Sequence, residues 1–209
     1  MSNEDINKVL IMEDSKPDRL RMRMLLGTLG VPFKFAWNSI ERSMLPIIDE
    51  NDPNNHETII EENNPNNHKT IFKLMEKIKP EKLVIDLAWT TNDEKNLSKL
   101  CFLNEEEIIK ERKENDSKEN DSKENNSKRH EWISGISFIE KLNEKKDSKD
   151  YEFIKKIDNL IIVTQFAQPI TIGLNAYLKS ILDKKWDRYD YIIVHKWREQ
   201  HKFLRKIVY

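Results

Sequence analysis

Cysteine occurs once in the 209 residues and glycine four times, and each scarcity removes a class of protein. A single thiol, Cys101, permits no internal disulfide and leaves a zinc cluster without its usual thiolates, which fits a reducing compartment. With glycine only at 27, 30, 135 and 173, neither GxxxxGK nor GxGxxG can be written, so glycine-loop phosphate cradles are excluded. An excess of charge is missing too. The 36 Lys and Arg stand against 37 Asp and Glu, a formal net charge of -1, which offers no general field for nucleic acid or an anionic membrane. No apolar run approaches the ~18 residues of a membrane span. The opening MSNEDINK has neither the basic start nor the apolar stretch of a secretory signal, so the expected setting is cytoplasmic. At 209 residues the chain suits one domain with a sizeable core and is short for two.

What is present is alternation. Apolar β-type runs recur at Val9 to Met12, Phe33 to Trp37, Leu83 to Ile85, Leu160 to Val163 and Tyr191 to Val194. Helical spacing lies between them. Pro17 and Asp18 suit a first turn and Gly30 a C-terminal cap, with Leu20, Met24 and Leu29 expected on the inward face. Ile71, Leu74, Met75 and Ile78 follow at i, i+3, i+4 and i+7 before Pro80. Ile136, Ile139 and Leu142 make a later stripe, as do Leu174, Tyr177, Leu178, Ile181 and Leu182, and finally Phe203, Leu204, Ile207 and Val208. Strands without polar alternation, separated by amphipathic helices, predict an α/β fold with a mostly parallel sheet covered on both faces.

Two low-complexity stretches interrupt this order. PNNH appears at Pro53 and again at Pro65, and from Lys113 the chain reads KENDS, KENDS, KENNS with no apolar residue to bury. The expected organisation is one domain over residues 1–209 with insertions at about 51–68 and 93–131. The pentapeptide repeat is expected as a surface loop, either a tolerated insertion or a docking segment for a partner. Ahead of it, NLSKLCFLNEEEIIKERK predicts an extra helix.

The polar residues at strand ends carry the chemistry. KLVIDLAWT places Asp86 in an apolar run where an unpaired charge is expensive. The first strand ends in Glu13 and Asp14, the fourth in Thr164 and the fifth in Lys196. In an open parallel sheet the carboxyl ends of the strands form one edge, where ligands bind. Clustered carboxylates repel unless a positive charge sits among them, and an all-oxygen ligand set suits Mg²⁺. A hydroxyl and an ammonium opposite are suited to oxygens of a phosphoryl group. Taken singly, Glu13 and Asp14 read as helix-capping acids, Thr164 as a β-former and Lys196 as a solvated lysine. Asp86 resists such a reading.

In order and in local sequence the chain resembles the receiver domain of two-component response regulators. KVLIMEDS is similar to that family's opening strand with its paired acids, and KPEKLVIDLAW to its phospho-acceptor strand. ISGISFIEKL resembles its glycine and third helix, LIIVTQ its fourth strand with the switch threonine, and YDYIIVHKW its fifth strand with the lysine. The resemblance implies a flavodoxin-like, doubly wound five-stranded sheet in the order 2-1-3-4-5. It implies that Asp86 accepts a phosphoryl group from a histidine kinase or phosphotransfer protein. Glu13, Asp14, Asp86 and the backbone carbonyl of Ala88 are implied as Mg²⁺ ligands, Thr164 as the hydroxyl that moves onto the phosphoryl group, and Lys196 as its counter-ion. Output is implied through a downstream effector protein or a homodimer, with no nucleic acid or membrane partner.

The chain departs from the family at Thr90, Gln165 and Trp197, where a proline, a small residue and a proline are usual, and at Ile193, where an aromatic switch residue is usual. Trp197 leaves the usual cis peptide open, and Ile193 removes the ordinary aromatic flip. Ala88 and Phe166 occupy the positions that place a hydrolytic water in receivers, and neither side chain hydrogen-bonds, so a long-lived acyl phosphate is expected. His56 and His68 sit in the PNNH repeats, His130, His195 and His201 share no zinc-like spacing with Cys101, and all five read as surface residues. Trp89 and Trp197 are expected at the rim of the site. The readings are a stand-alone phospho-accepting receiver, a phosphorylation-silent interaction module of the same shape, and a phosphatase of the haloacid dehalogenase type. The last needs a second acid where Ala88 stands.

Overall fold

The structure, a computed structural model, describes residues 9–36, 68–121, 133–145, 147–166, 172–183 and 190–208. Strands β1 (Val9–Met12), β2 (Phe33–Phe35), β3 (Lys82–Asp86), β4 (Asn159–Thr164) and β5 (Asp190–His195) are all parallel, in the order β2-β1-β3-β4-β5. Helices α1 (Lys16–Thr28), α2 (His68–Ile78), α3 (Thr91–Leu100), α4 (Glu105–Asp121), α5 (Ser134–Lys145), α6 (Ile172–Asp183) and α7 (Gln200–Val208) flank the sheet, with a 3₁₀ stretch at Lys149–Lys156. This is the flavodoxin-like α/β arrangement. The PNNH repeats apart from His68, together with His56, His130, Trp37 and the KENDS repeat from residue 122 onward, lie outside the described residues. Among the described residues no helix is long and apolar enough to cross a membrane.

Strand periodicity decides which side each residue serves. Leu10, Met12, Leu83, Ile85, Leu160 and Ile162 pack with α2, α5 and α6 residues such as Met75, Phe138 and Leu178. The intervening Val9, Ile11, Val84, Ile161, Val163 and Val194 pack with Met22 and Leu26 of α1 and with Phe203 and Ile207 of α7. Continuing the second set by one step gives Glu13, Asp86 and Lys196. The alternation that builds the apolar core thus carries three charged residues to the α1/α7 face as the strands run out.

Helix α1 buries a different stripe from the one predicted. Arg19, Met22 and Leu26 are buried, whereas Leu20 and Leu29 are each 49% exposed and Met24 73%. Apolarity alone misleads because the inward stripe begins with an arginine. Arg19 turns its guanidinium onto the carbonyls of Glu13 and Asp14, with Nη1 at 2.9 and 2.6 Å, and so satisfies two acceptors at the end of β1. At the other end Gly30 takes φ 65°, and the bonds Val31 N to Leu26 O and Gly30 N to Gly27 O close the helix in a Schellman motif.

The pentapeptide repeat is also corrected, since its first copy and the start of its second are helical within α4 rather than a loop. Asn104 and Glu107 form reciprocal caps at the start, and three glutamates in the first turn suit the positive end of the helix dipole. Ile108, fully buried, roots the helix in the core. The Arg112–Glu140 ion pair at 3.2 Å, with Tyr177 Oη donating to Glu140 at 3.0 Å, ties α4 to α5 and α6. Beyond that root the helix is polar, and Ser117 turns its Oγ onto Lys113 O at 2.8 Å.

Gly135 is where α5 meets the strand that carries Asp86. A Cβ there would lie 2.4 Å from Asp86 O and 2.5 Å from Leu87 Cα, while its N–H donates to Leu87 O at 3.0 Å. Gly135→Ala is expected to destabilise by ~1–3 kcal/mol through backbone displacement. Gly27→Ala, with nothing within 4 Å of the added methyl, is expected to be stabilising by ~0.5–1 kcal/mol. Urea unfolding of the two variants checks the opposite signs.

Candidate functional site

The register accounts for the meeting of the charged groups. Met12 pairs with Ile85, so Glu13 falls level with Asp86, and Asp86 pairs with Val163. Val163 pairs with Val194, two residues before Lys196. Lys196 Nζ lies 2.7 Å from Glu13 Oε2, 2.7 Å from Asp86 Oδ2 and 3.0 Å from Asp18 Oδ2. Its own amide donates to Thr164 O at 3.0 Å, which fixes where the side chain leaves the backbone. Glu13 is fully buried and Asp86 is 5% exposed. Glu13 Oε1 accepts from Ser15 N at 3.0 Å. Asp14, half-buried, completes a group in which one oxygen from each of Glu13, Asp14 and Asp86 lies within 4.8 Å of the others.

These residues face a pocket of about 150 Å³ whose lining includes Asp14, Asp18, Asp86, Ala88, Thr90, Thr164 and Lys196. Every site residue expected from the sequence is therefore at this edge: Asp86, Glu13 and Lys196 in direct contact, Asp14 beside them, Thr164 and Ala88 on the wall. Thr164 Oγ1 accepts from Phe166 N at 3.2 Å. A larger groove, about 670 Å³, runs along β5 between α6 and α7, and among the described residues its lining holds Lys179, Lys202, Lys206, Arg205 and Tyr191 but no carboxylate.

Burial and charge act against one another here. Burial pushes the Asp86 carboxyl up to about 6, with Asp14 adding to the rise and Lys196 opposing it. Glu13 is raised well above its usual value by burial and then by Asp86, again against Lys196. For Lys196, burial disfavours the ammonium, but Asp86 and Glu13 outweigh it and the pKa is raised. The one cation opposes proton uptake by both acids without cancelling the effect of burial.

Three residues of the site were missed in the sequence. Asp18, read only as a first-turn residue, is the third carboxylate on Lys196. Arg19 holds the end of β1. Asp93, placed at the edge of an insertion, organises the loop after Asp86: its carboxylate accepts from Trp89 N at 2.9 Å, Thr90 N at 3.0 Å, Ser134 N at 3.2 Å and Ser134 Oγ at 2.7 Å. Thr90 Oγ1 accepts in return from Asp93 N at 3.1 Å and caps α3. The pattern Thr90-x-x-Asp93 is a capping-box signature and was legible. Trp89 is not at the rim; it is 2% exposed, with Nε1 donating to Asp86 O at 2.7 Å. Trp197 packs at the α1/α7 side with the Arg21 guanidinium 5.2 Å from its ring. Among the described residues there is no cis peptide bond, so the one before Trp197 is trans.

The three carboxylates, oxygen donors throughout, form a group that could hold a metal ion. No family model matches the chain, and no curated protein and no solved structure matches it.

Because the folded-state value for Asp86 is raised above the ~3.9 of an unfolded chain, the folded state holds more protons between about pH 4 and 6. The contribution of this group to stability is present below pH 4 and is lost as pH rises through 6. A ¹³C carboxyl titration should give Asp86 a midpoint near 6, moving higher in Lys196→Met; a midpoint near 4 would contradict the arrangement.

Proposed function

We propose that the protein is a receiver of the response-regulator type, in which Asp86 accepts a phosphoryl group from a phosphohistidine and the changed edge is read by another protein. The observation that carries this reading is the direct contact of Lys196 with Asp86 and Glu13 at the carboxyl edge of a sheet ordered 2-1-3-4-5. An Asp86 oxygen attacks phosphorus, the N–P bond breaks, and the imidazole leaves with the electron pair, to be protonated from solvent. Lys196 balances the charge of the acyl phosphate, and Thr164 supplies a hydroxyl on the opposite wall. Glu13, Asp14, Asp86 and the Ala88 carbonyl are the residues assigned to Mg²⁺, which when bound supplies charge neutralisation among the acids. The assigned donor is a histidine kinase or phosphotransfer protein, and the output is protein contact.

One observation favours the phosphorylation-silent module as the second reading. The ammonium of Lys196 lies within 3.0 Å of three carboxylates and donates to Asp86 itself, so it is held among acids and not presented to a phosphoryl oxygen. A phosphatase is disfavoured, since Ala88 supplies no acid two residues after the nucleophile.

Incubation with Mg²⁺ and a small acyl-phosphate donor is expected to add one phosphoryl mass that Asp86→Asn abolishes. No adduct from this donor or from a histidine-kinase phosphohistidine favours the silent module. Once formed, the adduct is expected to decay slowly, because Ala88 and Phe166 place no water in line. Rapid loss of the adduct, unchanged by substitutions of Phe166, would contradict that expectation.

A further inference from the structure

Two of the acids on Lys196, Glu13 and Asp86, belong to the group suited to a cation, and the third, Asp18, does not. Ammonium and cation therefore draw on the same two carboxylates. Glu13 has little freedom to serve both, since Oε1 is engaged by Ser15 N and Oε2 by Lys196. Nor can the ammonium simply retreat into water, because the Lys196 side chain is 8% exposed and burial makes an unpaired charge costly. Asp18 offers the alternative. It sits in the first turn of α1, its side chain 17% exposed, with Oδ2 on Lys196 at 3.0 Å and Oδ1 3.7 Å from Arg21 Nη1.

We infer that Asp18 is a positioning residue that retains the Lys196 ammonium when a divalent cation takes Glu13 and Asp86. Its contact is the one that survives the exchange, so the lysine stays at the edge of the pocket instead of blocking the cation or leaving the site. Arg21, on the other oxygen of the carboxylate, favours the rotamer that presents Oδ2 to Lys196. The inference takes the identity of the cation from the receiver reading and needs no phosphoryl transfer.

The probe is Mg²⁺ alone, titrated by calorimetry at constant ionic strength. Asp18→Asn is expected to weaken binding at least about tenfold, ~1.4 kcal/mol, since the freed ammonium then stays on Glu13 and Asp86. Glu94→Gln removes a charge lining the same pocket that is not among the three acids on Lys196, and is expected to change affinity by no more than about threefold. In a Lys196→Met background, or Lys196→Gln if the first does not fold, Asp18→Asn is expected to lose most of its effect, to about threefold or less. An equal loss in both backgrounds means that Asp18 acts only as a charge and overturns the inference. So does an equal effect of Glu94→Gln, or absence of Mg²⁺ binding by the unsubstituted protein. Failure of Asp86 to take a phosphoryl group, with the Mg²⁺ cycle intact, overturns the receiver reading and leaves this inference standing.

Discussion

At the carboxyl edge of the sheet, the ammonium of Lys196 is shared by Glu13, Asp18 and Asp86 in a setting where two of the acids are almost fully shielded from water. Acids so placed repel one another and lose their hydration, and a single cation in contact with all three offsets part of that cost. Much of the surrounding structure serves that contact. The parity of β1, β3 and β5 brings Glu13, Asp86 and Lys196 to one face, Arg19 satisfies the carbonyls at the end of β1, and the bond from Lys196 N to Thr164 O sets the exit of the lysine from β5.

The loop after Asp86 is held as firmly as the cluster itself. The four donors on the Asp93 carboxylate join Trp89 and Thr90 to Ser134, and the missing side chain at Gly135 lets α5 approach the Asp86 backbone. Residues more than forty positions apart therefore share one rigid corner, despite the two helices that intervene in the chain. Those helices are accommodated because α3 and α4 add their own apolar anchors, Leu97, Leu100 and Ile108, to the core on the side of the sheet away from α1 and α7.

The strand runs and their charged ends were legible because a buried parallel strand has a plain signature, continuous aliphatic residues stopped by a polar one. Order along the chain then brought Asp86, Glu13, Asp14, Thr164 and Lys196 to one edge. The inward face of α1 was not legible, because Arg19 is buried by its hydrogen bonds and not by apolarity, while Leu20 and Met24 stay exposed. Asp18 escaped notice for a related reason: its role depends on where Lys196 arrives, which is tertiary information. Trp89 was misplaced since its indole N–H finds an acceptor in the Asp86 backbone, allowing a large aromatic to be buried beneath the site instead of lining it. The helical start of the KENDS repeat depends on the Ile108 anchor and the Arg112–Glu140 bridge, neither of which a repeat-by-repeat reading weighs.

Lys196 touches α1 through Asp18 and leads directly into the turn before α7, so the ion cluster joins the sheet edge to both helices. The most direct test of that account is the ¹⁵N spectrum of the lysine side chains near neutral pH. A slowly exchanging ammonium resonance that vanishes in Lys196→Arg and shifts in Asp86→Asn is the predicted result, since the side chain is 8% exposed with three carboxylates within 3.0 Å of its nitrogen and a hydrogen bond to Asp86. If no protected ammonium is seen, or if the one observed is indifferent to Asp86, Lys196 is a solvated lysine and the shared ion cluster does not exist.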